Sequence, residues 1–141
     1  MTQLLNGHTK EEILKRKKLA DLYYDNYRKY KNEGKYQKAS EFLWGALNNL
    51  IYALGLLYDE KLTSHKKIKG FVSDISSHFH KPEIARLFAE SAEILHANFY
   101  HDFLDEDSFK IHSENMEKLL NELTSILFKE LEKRDSAGRD Y

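Results

Sequence analysis

The sequence predicts an all-α bundle of about five helices, and three observations carry that prediction. Apolar residues recur every three to four positions along most of the 141-residue chain, whereas alternation of apolar and polar residues never lasts the length of a strand. Proline occurs only at Pro82, and no Gly-, Ser- or Pro-rich stretch or internal repeat divides the chain. Residues 1–141 therefore read as one domain, with frayed ends expected at 1–8 and 135–141. Hydrophobic residues make up 41% and charged residues 32%, which is apolar enough for one core and too apolar for a disordered chain.

The helices follow in order from capping signals and apolar stripes. Thr9 followed by Glu12 is the reciprocal capping pattern that satisfies exposed N-terminal amides, so a first helix opens at 9 and runs to about 33, with Gly34 as its stop. Its stripe is Ile13, Leu19, Leu22, Tyr23, Tyr27 and Tyr30. A second helix starts near Tyr36 and carries the broadest apolar face, from Ala39, Phe42, Leu43 and Trp44 through Leu47, Leu50, Ile51 and Leu54 to Leu57. That breadth predicts the central helix, with Phe42 and Trp44 in the core.

Thr63 or Ser64 caps a third helix bearing Ile68, Phe71, Val72, Ile75 and Phe79. Pro82 suits the first turn of a fourth, to about 103, which turns Ile84, Leu87, Phe88, Ala92, Leu95 and Phe99 inward. The last helix starts near Ser108, after the acidic Asp105, Glu106 and Asp107, and carries Phe109, Met116, Leu119, Leu120, Leu123, Ile126, Leu127 and Leu131.

The totals exclude several function classes. With 22 basic and 23 acidic side chains the formal net charge is -1, so a nucleic-acid footprint is confined to a local patch. The absence of cysteine removes disulfides, thiolate metal sites and thiol nucleophiles, and it fits a reduced compartment, the cytoplasm. Residues 1–8 contain no basic segment followed by a long apolar run, and the most apolar stretch, 42–58, is interrupted by Asn48, Asn49 and two glycines. Neither a signal segment nor a membrane partner is expected.

Candidate chemistry is sparse. His78 and His80 lie two residues apart, and His96 and His101 five; on an ideal helix those spacings turn side chains about 160° and 140° apart, which is wrong for a shared metal. Glu93 and His96 form one Glu-x-x-His step, but di-iron bundles need the step twice with two further glutamates, so the expectation is an exposed pair, no metal and no cofactor. Ser91 and Ser113 lack a glycine-flanked nucleophile turn, and the phosphate and dinucleotide glycine loops are absent. Lys15, Arg16, Lys17 and Lys18 are candidates for phosphate contact, with Tyr23, Tyr24, Tyr27 and Tyr30 stacking on bases. The competing reading of the same residues is a solvated basic face over core tyrosines.

Three segments, KASEFLWGA at 38–46, NNLIYALGLL at 48–57 and AESAEILHANFYHDFLDEDSF at 89–109, together resemble the archaeal PaREP-type proteins, a branch of the HEPN-like helical domains. The resemblance runs from Lys10 to about Leu131 and implies a HEPN-like bundle that forms a homodimer. It also implies a nucleotidyltransferase-type protein partner and RNA as a candidate ligand. Many HEPN-like relatives cleave RNA without metal, using an Arg-x4-His motif near the dimer cleft. The matching window here is HANFYH, with His101 at the motif's histidine and His96 in the arginine's place. Arg86 stands ten residues before His96 and points about 80° away from it on an ideal helix.

The resulting expectation is a HEPN-like module without catalysis, acting in protein interaction or nucleic-acid association. Its alternative is a metal-independent RNase in which His96 and His101 act as acid and base while Asn98 or Tyr100 helps hold the phosphate.

Overall fold

The computed structural model describes residues 7–139, with side chains from 7 to 135. Among the described residues the regular elements are all helical. They are α1 (Gly7–Asn32), α2 (Tyr36–Leu57), α3 (His65–His78), α4 (residues 82–101) and α5 (Glu106–Arg139). None of these helices is long and apolar enough to cross a membrane.

α1 begins at Gly7, so Thr9 lies inside its first turn rather than in front of it. At the other end of the chain Asp135 accepts from the Lys10 ammonium at 2.7 Å, joining the start of α1 to the end of α5. Gly7, His8 and Asp135 are thus held within helices, while 1–6 and 140–141 lie outside the described residues. The C-terminus of α1 follows the sequence expectation closely. Gly34 takes φ 73°, Gly34 N–H donates to Lys31 O at 3.0 Å, and Lys35 N–H returns to Tyr30 O at 2.9 Å, so the last carbonyls are satisfied.

α2 is the central helix. It packs along α1, its most extensive partner, and also meets α4 and α5. Ala39, Leu43, Trp44, Leu47, Leu50, Ile51, Leu54 and Leu57 are buried. Phe42 departs from expectation, being only half-buried at the α1–α2 seam, stacked on Tyr30 at 5.3 Å and edge-on to Tyr23 at 5.9 Å. The buried stripe of α1 is Ile13, Ala20 and Tyr27, one residue every two turns, which leaves Leu22 51% exposed rather than inward. Gly45 explains a glycine inside this helix: a side chain there would collide with the ring of Tyr23.

Ser64 caps α3 by accepting from Lys67 N–H at 3.2 Å, and Ile68, Phe71, Val72 and Ile75 are buried beneath it. Ser76 fastens the turn into α4, donating to Lys81 O at 2.6 Å and accepting from Ala85 N–H at 3.2 Å. Pro82 takes the first helical position of α4, where its missing N–H is not needed. α5 starts at Glu106, two residues earlier than Ser108, because Asp105 caps it through Ser108 N–H at 2.7 Å. That backbone hydrogen bond also holds the Asp105 carboxyl below the usual carboxylate range.

Candidate functional site

α4 is not a uniform helix. Residues Pro82–Leu87 and Glu93–His101 are α-helical, and the five between them, Phe88–Ala92, form a π-turn. Such turns arise where an i→i+5 hydrogen bond replaces the i→i+4 ladder. Here the turn buries Ser91, whose Oγ lies 3.0 Å from His112 Nδ1 and accepts from Asn115 Nδ2 at 3.0 Å, both on α5. A serine–histidine pair is the start of a nucleophile, but Ser91 is fully buried, so the pair acts as an internal staple. Arg86, upstream of the turn, is exposed and pairs with Glu90 at 3.2 Å. It supplies no cation to the histidine segment.

Beyond the π-turn, side chains from three helices converge. The His96 ring stacks on Trp44 of α2 with centroids 4.2 Å apart and planes 24° apart. Tyr100 meets His96 edge-on at 5.3 Å. His65, the first residue of α3, lies almost parallel to His96 at 6.3 Å and tilted to Trp44 at 6.1 Å. The Glu93 carboxylate reaches His65 Nε2 with its two oxygens at 3.0 and 3.1 Å. Glu93 and His96 are therefore half-buried members of a cluster rather than the exposed pair the spacing suggested, because α3 and α2 close over them.

His65 has no motif in the sequence and lies 28 residues from Glu93, so no spacing argument reaches it. His96 Nδ1 is buried without a hydrogen-bond partner. Burial, and then the neighbouring His65, hold the His96 imidazole below its ordinary range, while Glu93 opposes them. Among the described residues, no group of three or more His, Asp or Glu side chains is placed to hold a metal ion.

Asn98 is fully buried and both polar atoms of its amide are hydrogen-bonded. Its Nδ2 donates to Ser40 Oγ at 3.0 Å, and its Oδ1 accepts from Phe103 N–H and Leu104 N–H, each at 2.8 Å. Ser40 in turn donates to Tyr36 O at 2.8 Å, and Asp102 N–H, at a residue with φ 45°, donates to Asn98 O at 2.8 Å. The amide is thus a clamp between α2 and the α4–α5 turn. Tyr100 and Phe103 flank the clamp and are 63% and 55% exposed. His101 closes α4 as an exposed residue; five positions from His96, its side chain projects about 140° away around the helix.

The basic run is divided between contact and solvent. Arg16 donates to Asn49 Oδ1 at 3.3 Å and lies over the Tyr52 ring at 5.5 Å, while Lys17 pairs with Asp21 at 2.6 Å and sits 5.6 Å over Phe128. Lys15 and Lys18 are exposed. The interleaved tyrosines are absorbed by packing: Tyr27 is fully buried, Tyr24 donates to Glu117 at 2.7 Å, and Tyr23 and Tyr30 cover Phe42. Burial and then the Glu117 bond push the Tyr24 hydroxyl far above its ordinary pKa. Of these rings Tyr23 alone is exposed, at 37%, Tyr24 and Tyr30 are half-buried, and Tyr27 is closed to solvent.

Compared with known proteins, residues 15–120 match the archaeal PaREP1/PaREP8 family. No curated protein and no solved structure matches the chain.

Proposed function

The chain belongs to the archaeal PaREP1/PaREP8 family, and from that premise we propose a HEPN-like helical module that acts without catalysis, through protein association, first with a second copy of itself. The observation that carries this reading is the Asn98 clamp. It fixes the backbone where α4 ends and the turn begins, between Tyr100 in the last turn of the helix and Phe103 just beyond it. Large aromatic side chains on a fixed backbone lose little entropy on docking and serve well as interface anchors. RNA association is the lesser part of the proposal, since Lys15 and Lys18 are open while the neighbouring tyrosines are packed.

Light scattering at tens of micromolar protein tests the association. A mass near twice 16.7 kDa is expected, and Tyr100→Ser combined with Phe103→Ser is expected to halve it without loss of helical circular dichroism. A wild-type mass near 16.7 kDa, independent of salt, would remove the homodimer from the proposal.

One observation favours a second reading, metal-independent RNA cleavage: the partner that faces His96 is His65, paired with Glu93, rather than His101. A carboxylate-oriented imidazole beside a neutral one is an acid–base arrangement. Among the described residues no arginine joins it, however, and removing a fixed donor from a developing anion typically costs about 10² to 10³ in rate. Labelled single-stranded RNA is therefore expected to survive incubation in EDTA. Degradation that vanished in both His65→Ala and His96→Ala would replace the non-catalytic reading with the enzymatic one.

A further inference from the structure

We propose that Trp44, His65, Glu93 and His96 form a proton-operated latch, which holds the first turn of α3 against α2 and α4 and opens locally when both imidazoles carry a proton. The position of α3 makes such a latch consequential. α3 packs chiefly on the first half of α4 and touches α2 sparingly, so the contacts of His65 with Trp44 and Glu93 join buried Ile68 and the Ser64 cap in holding its first turn.

The cluster accommodates one proton but not two. A proton on His65 is balanced by the Glu93 carboxylate 3.0 Å from Nε2. A second proton, on His96, would be half-buried with an Nδ1 that has no acceptor and 6.3 Å from a like charge measured between ring centres, a penalty that outweighs the attraction of the Trp44 face. The positive end of the α3 dipole beside His65 adds to the penalty. The titratable groups facing His96 are His65 from α3 and Glu93 and Tyr100 from its own helix, while α2 presents the uncharged Trp44.

The sign follows from the burial of His96. Because its imidazole is held below its ordinary value of 6.5, an opened state takes up the proton first. The latch is therefore intact above about pH 6.5 and weakens progressively as the pH falls through that value toward the depressed one.

Trp44 is the only tryptophan, so its emission reports on this cluster alone. Titration of the full chain from pH 8 to 5 is expected to quench it reversibly with a midpoint below 6.5, because an imidazolium in ring contact quenches indole, while helical circular dichroism holds steady. Amide exchange in the first turn of α3 should accelerate at the same midpoint. His96→Gln should abolish the emission transition, Glu93→Gln should lower its midpoint, and His65→Gln should raise it. Flat emission, a transition that persists in His96→Gln, unchanged exchange in α3, or helix loss at the same midpoint would each overturn the latch. If His96→Gln fails to fold, imidazole proton resonances of the unsubstituted chain supply the same test, and absence of an imidazole titrating below 6.5 would overturn it.

Discussion

Trp44→Ala is expected to lower stability by about 3–5 kcal/mol, the range seen when a large aromatic side chain is removed from a core. Trp44 is 8% exposed and is the ring that three helices share. From its place on α2 it contacts Phe88 at 6.1 Å and His96 at 4.2 Å on α4, and His65 at 6.1 Å on α3. Truncation would remove these contacts and leave a void beside two imidazoles and a phenyl ring. Since domains of this size are stable by about 5–15 kcal/mol, one substitution removes a large part of the total. Urea melts measure it, with Trp44→Phe as a control that should cost less than half as much. A loss below about 1 kcal/mol would show that Trp44 is peripheral to the core.

Asn98→Ala is expected to cost about 2–4 kcal/mol, from three hydrogen bonds of roughly 1 kcal/mol each and the burial of partners left unpaired. The deleted amide is the acceptor for Phe103 N–H and Leu104 N–H and the donor to the fully buried Ser40. Ser40→Ala separates the two roles, because it removes the acceptor of Asn98 Nδ2 and leaves both backbone N–H groups bonded to Oδ1. It should fall between wild type and Asn98→Ala in a denaturant melt. Equal losses in the two variants would mean that the acceptor side of the clamp contributes nothing. The result also bears on association, since Tyr100 and Phe103 depend on this turn for their fixed display.

Most of the fold was legible in the sequence. The α2, α3 and α5 stripes are mostly buried as expected, from Ala39 through Leu57, from Ile68 through Ile75 and from Phe109 through Leu131, with Phe42 and Phe79, the latter just past the end of α3, only half-buried. The errors fall where a stripe is broader than the face that can be covered. Phe42 and Leu22 satisfy helical spacing, but the buried stripe of α1 is Ile13, Ala20 and Tyr27, so Phe42 and Leu22 stay at the margin. After Leu95, positions 98 and 99 have equal claim to the inward face by periodicity. The bundle buries polar Asn98 and leaves Phe99 half-covered, because only the asparagine can satisfy the turn that follows.

The candidate site was much less legible. His96 was singled out, yet the sequence paired it with His101 along one helix, whereas its neighbours are Trp44 and His65. The π-turn was equally hidden, since no proline or glycine marks Phe88–Ala92. Gly34, Ser64 and Pro82 set helix ends through forces that act within a few residues: a positive φ, a side chain accepting from an N–H three positions on, and an N–H that is missing. Those ends could be read along the chain. The Asn98 clamp, the buried Ser91–His112 pair and the His65–Glu93 contact join residues 58, 21 and 28 positions apart, and each depends on which faces the packed helices turn toward one another. Contacts of that kind leave no local signature, because burial selects them only after the bundle has assembled.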